Sequence, residues 1–153
     1  MPFMEGVHDV VGHHVQIGVL EGDEVLFLER LTAPGAIVNY TRIAGRLPLH
    51  VSSSGLVLLA HGSFDLRERV LGGPLPGYTP HTITTATVLR SALAAVRQQG
   101  YAYCPGYFHE DALGIAAPVR DGRGDVVAAL SVIVPRDAGA ASVVPVVRAA
   151  ARG

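Results

Sequence analysis

Residues 45–62 read GRLPLHVSSSGLVLLAHG. A proline and a histidine stand in apolar company, and Ser52, Ser53, Ser54 and Gly55 then lead into Leu56-Val57-Leu58-Leu59-Ala60. The pattern predicts a helix with Ser52 to Ser54 as cap candidates and Gly62 as its stop. Helices usually start on one capping hydroxyl. Three, with His50 just upstream, leave three roles open: a nucleophile and its base, donors around a bound small molecule, or the cap of a buried helix.

Upstream, HVQIGVL (14–20) and EVLFLERL (24–31) are joined by EGD and read as a β-hairpin. Residues 3–12 have the spacing of a short amphipathic helix, and AIVNYTRI (36–43) is a third strand candidate. Downstream of Gly62, SFDLRERVLGGPLPGYTP predicts a small helix and a Pro/Gly-rich loop. From Thr82 to Gln99 the period is helical, with Val88, Leu89, Ala92, Leu93 and Val96 on one face and Gly100 closing the end. YAYCPGYF, ALGIAAPVRD and DVVAALSVIVP follow as strands, the last two joined by GRG in a second hairpin. The tail ASVVPVVRAAARG predicts a helix with Pro145 in its first turn. This order is that of an α+β domain, an antiparallel sheet flanked by helices.

The 153 residues fit a single domain, 1–153, long enough to bury a continuous core. Hydrophobic residues make up 49 % and charged ones 16 %, an apolar balance that predicts surface covered by a partner or folded around a pocket. No apolar run reaches the roughly 18 residues of a membrane span. Val126 to Pro135 comes nearest, interrupted by Ser131. The net charge of −1 and scattered arginines argue against direct DNA binding by this chain. A single cysteine excludes an intramolecular disulfide and fits a reducing cytoplasm.

A nucleophile elbow needs G-x-S-x-G, and none of Ser52, Ser53 and Ser54 has a glycine two residues before it. Cys104 has Tyr103 and Pro105 as neighbours, which supply no charge to favour a thiolate. The histidines lack metal-ligand spacing, and neither glycine-rich stretch matches a phosphate-binding loop. No catalysis, metal or cofactor is therefore expected. A pocket remains: the SSSGL segment offers hydroxyls and free amides at a helix N-terminus, suited to a carboxylate. Ser131 interrupts an apolar strand and needs a partner, and Tyr101 and Tyr103 alternate toward one face of theirs. A capped helix with one satisfied core serine is the structural alternative.

The order RLPLHVSSSG, TPHTITTATVLRSALAAVRQQGYA, IAAPVRDGRGDVVAALSVIVP resembles the C-terminal effector-binding domain of the IclR family of transcription regulators. The resemblance covers about residues 5 to 150 and implies a GAF-like (profilin-like) α+β fold. It implies a non-enzymatic bacterial domain that senses a small-molecule effector, an organic acid or an aromatic metabolite. Homodimers or homotetramers and no membrane are implied, with DNA bound only through a separate N-terminal winged helix-turn-helix not present in this chain. The chain is thus expected to be a domain excised from a longer regulator. The family's pocket corresponds here to the loop His50, Val51, Ser52, Ser53, Ser54 and Gly55, and to the final two strands, with Gly114, Ala116, Ser131 and Ile133. Where many members carry cysteine this chain has Gly114, and where many carry a second serine it has Ile133. These departures remove polar contacts and shift the expected ligand toward a more apolar or aromatic one. The alternatives are a stand-alone GAF-like enzyme or redox sensor using His50 or Cys104, and a dimerisation module with a vestigial pocket.

Overall fold

The first hairpin forms as its alternation predicts: β1 (His14–Glu21) and β2 (Glu24–Thr32) pair antiparallel, with a register shift between Ile17 and Gly18. The computed structural model describes residues 14–32, 45–136 and 140–152. The helix expected over 3–12 and the strand expected over 36–43 lie outside them. β3 (Arg46–Pro48) adds to the outer edge of β2. It is too short for its alternation to be read in the sequence, which suggested only a lead into a helix. β4 (Ala102–Pro105), β5 (Ala112–Arg120) and β6 (Val126–Pro135) complete a six-stranded sheet of order β3-β2-β1-β6-β5-β4, antiparallel throughout. Residues 101–108, expected as one strand, keep extended pairing only over β4; Gly106, at φ +73°, turns the chain away.

Among the described residues four α-helices accompany this sheet, two of them packed directly on it. α1 (Ser53–Ala60) is buried at every position, as its uniformly apolar sequence requires. It lies against β5, β6 and α3 (Ala86–Gln99). α2 (Phe64–Gly72) is capped by the Ser63 side chain, which accepts from Leu66 N at 3.1 Å. The helix expected from Thr82 starts four residues later, because residues 82–85 are used in a turn and in the Thr85 cap. Leu89, Leu93 and Val96 are its buried stripe; Val88, expected on that face, is 53 % exposed one position off it.

Two apolar clusters result. One lies between α1–α3 and the sheet face carrying Ala102, Cys104, Ala116 and Ala129. The other carries Leu113, Ile115, Leu130 and Val132 on the opposite face, beneath Val147 and Ala151 of α4 (Val144–Ala151). Pro145 sits in the first turn of α4, as expected. The architecture is α+β, an antiparallel sheet between helices. Among the described residues, no helix is long and apolar enough to cross a membrane.

Candidate functional site

The Pro48–Gly55 segment carries the chain from β3 into α1, and its geometry follows from one cap and two glycines. Ser52 is the N-cap: its Oγ accepts from Gly55 N at 2.9 Å. A Cβ on Gly55 would lie 2.3 Å from Leu49 O, so only glycine lets the first turn press on that loop. A Cβ on Gly114 would lie 2.9 Å from Ser53 Oγ, so the bare backbone of β5 admits the start of α1 directly onto the sheet.

A cavity of about 40 Å³ opens beside this helix start. Its floor is the sheet face bearing Gln16, Cys104, Gly114, Ser131 and Ile133, with Phe27, Leu47 and Ala112 around it. Val51 to Ser54 form one wall, and Tyr107, Phe108 and His109, in the turn between β4 and β5, form another. On the floor Ser131 Oγ donates to Gln16 Oε1 at 3.5 Å, both side chains 1 % exposed. Gln16 is the buried partner that Ser131 demanded. Ser54 also lines the cavity and is 1 % exposed, and its Oγ finds no partner among the described residues. An unmade buried hydrogen bond is unfavourable.

The lining holds no Asp, Glu, Lys or Arg among the described residues. Burial, with the nearby Cys104 thiol second, pushes the Tyr107 phenol up to about 12, so it stays neutral at physiological pH. Burial alone pushes the Cys104 thiol well above its usual range, the reverse of what a reactive thiolate requires. A largely apolar chamber with hydroxyls at a helix N-terminus suits an anion of low charge attached to an apolar body. No group of His, Cys, Asp and Glu among the described residues is placed to hold a metal.

Of the residues expected around a pocket, Val51, Ser52, Ser53 and Ser54 meet Gly114, Ser131 and Ile133 at this cavity. The others lie elsewhere. His50 is 2 % exposed and its Nε2 donates to Pro76 O at 2.8 Å, on the far side of the loop. Gly55 backs the helix start, and Ala116 is buried under α1. Tyr101 and Tyr103 do share a face, but it is the opposite one. Tyr101 lies under the Arg148 guanidinium of α4 at 5.4 Å, and Tyr103 is 38 % exposed. Gln16, Cys104 and the 107–109 wall were not anticipated. A glutamine at a strand position flanked by Val15 and Ile17 was the available signal for the first.

Known proteins match this chain along its length. The family described as "Bacterial transcriptional regulator IclR C-terminal" matches residues 1–153. The HTH-type transcriptional regulator XynR of Escherichia coli (strain K12) is 35 % identical over 121 residues, covering 78 % of this chain and 48 % of that protein. An IclR homolog from Microbacterium hydrocarbonoxydans, crystallised with 4-hydroxybenzoate, superposes with TM-score 0.94 at 48 % identity, covering 98 % of this chain and 62 % of that one. A double mutant of the PobR inducer-binding domain from Acinetobacter, in complex with 3-hydroxybenzoic acid, superposes at TM-score 0.84 and 26 % identity, covering 98 % and 91 %. The chain spans about half the length of the curated relatives it matches. By sequence and by fold the chain belongs to the IclR family of bacterial transcriptional regulators, a non-enzymatic family, and corresponds to their C-terminal domain.

Proposed function

We propose that residues 1–153 form a single effector-sensing domain of a cytoplasmic regulator, and that the cavity beside α1 takes a monocarboxylic acid with an aromatic or otherwise apolar body. The observation that carries this reading is Ser54, whose buried Oγ has no partner among the described residues, on a cavity wall formed by the N-terminal end of α1. A carboxylate there would accept from the Ser54 hydroxyl and lie at the favourable end of the helix dipole. The apolar lining accepts the body, and the Gln16–Ser131 pair offers a neutral hydrogen-bonding group at the floor. The absence of a lining Lys or Arg among the described residues disfavours dicarboxylates, whose second charge would lack a permanent counter-charge. The hydroxybenzoates held by two structural neighbours have this chemistry.

The domain would act as a homodimer or homotetramer. Effector binding would shift the balance between two arrangements of paired domains, and with it a separate N-terminal DNA-binding domain. The test is calorimetry and thermal unfolding with 4-hydroxybenzoate and 3-hydroxybenzoate against glyoxylate and oxalate, in the original chain and in Ser131→Ala. Binding by the aromatic acids, weakened in the variant, is expected. Stabilisation by the short polar acids alone, or by none of the four, contradicts the assignment.

A further inference from the structure

We propose that Thr79 and Thr82 are positioning residues that latch the outer wall of the cavity, so that ligand entry must work against them. The inference rests on the cavity being the binding site proposed above. At about 40 Å³ the chamber has room for about three water-sized groups and is far below the ~300–1,000 Å³ of ordinary small-molecule sites. Something must move outward to admit an aromatic acid. The floor is hydrogen-bonded sheet and the Ser53–Ser54 wall belongs to a helix buried on all sides. The Tyr107–His109 wall lies in a turn outside regular structure.

That turn is tied to residues 73–84, the strap between α2 and α3. The Thr82 hydroxyl donates to Tyr107 O at 2.6 Å and accepts from Tyr78 N and Thr79 N, both at 3.0 Å. One donor and two lone pairs are all that a hydroxyl has. The Thr79 hydroxyl donates to Gly106 O and accepts from His81 N at 3.0 Å. The Tyr78 and Phe108 rings meet with centroids 5.3 Å apart, and His50 anchors the strap at Pro76. Thr79 and Thr82 thus aim two hydroxyls at the adjacent carbonyls of Gly106 and Tyr107. The wall cannot swing out without breaking these bonds or dragging the strap, whose far end is the Thr85 cap of α3.

Cys104, the chain's only cysteine, lies on the cavity floor at 3 % exposure and serves as a native reporter of opening. The experiment follows its alkylation by N-ethylmaleimide by intact mass, without ligand, in the original chain, Thr82→Val and Thr82→Ser. Losing the wall bond should accelerate Thr82→Val labelling about tenfold, while Thr82→Ser, which keeps the hydroxyl, stays within about twofold of the original. The acceleration should be insensitive to dilute urea, the mark of local opening rather than global unfolding. An unchanged rate in Thr82→Val, equal acceleration in Thr82→Ser, or labelling that climbs with urea like global unfolding overturns the latch. Should Thr82→Val not fold, Thr79→Val carries the same comparison. Because labelling needs no ligand, a failure of hydroxybenzoate binding and a failure of the latch are read separately.

Discussion

Ser52, Ser53 and Ser54 stand in a row and do three different things. The first caps α1, the second packs on the bare backbone of Gly114, and the third is buried with its hydroxyl unpaired. Replacing Ser54 with alanine should therefore stabilise the ligand-free domain, by about 1 kcal/mol, since an unsatisfied buried hydroxyl is removed. The same change should weaken binding of 4-hydroxybenzoate. Urea unfolding with and without the acid measures both, and a variant that loses stability in its absence contradicts the reading of Ser54 as unpaired. The serines were legible as a group because hydroxyls before an apolar run advertise a helix start. Their division of labour was not, since it depends on the approach of β5. His50 drew attention as a potential base, yet its ring serves the strap, and no local pattern around residue 50 encodes a partner 26 residues away. The 107–109 wall was invisible for the same reason: it reaches the site only through the β4–β5 turn.

At the scale of elements, the sequence was most legible where periodicity ran long. The first hairpin, α3 and the β5–β6 hairpin appear close to where alternation or the 3.6 period put them. α1 was legible through its ends, the serine cap candidates before the apolar run and Gly62 after it. What failed was short or shared: β3 has three residues, and residues 82–85 carry helix-forming pattern but are spent on the latch and the cap. A fully buried helix also depends on its cap more than an exposed one, because water cannot replace the lost acceptor. Ser52→Ala should cost ~1–2 kcal/mol, at the upper end for a lost cap. A chemical-denaturation midpoint moving by much less would mean that another acceptor takes over Gly55 N.

For the whole molecule, charge is sparse but unevenly placed. His61, at the end of α1, has its Nε2 buried and unpartnered among the described residues. Burial first, and then the positive charges of Arg120 on β5 and Arg97 on α3, hold its pKa below the ordinary 6.5. The unfolded chain therefore takes up a proton near pH 6.5 that the folded chain refuses. Stability should be fully present above that pH and should fall as pH drops from it toward the lower value in the fold. His61→Gln should flatten this part of the stability–pH curve, measured by urea midpoints between neutral and mildly acidic pH. An unchanged slope would show that the imidazole is protonated in the fold.

The Gln16–Ser131 contact joins residues 115 apart, across the seam where β1 meets β6. On a ribosome adding ~5–20 residues per second, roughly ten seconds separate the two. Through that interval β1 has β2 on one side and nothing on the other, and the chamber has no floor. The proposed binding site is thus complete only once β6 has been made, whatever the state of the hairpin before it.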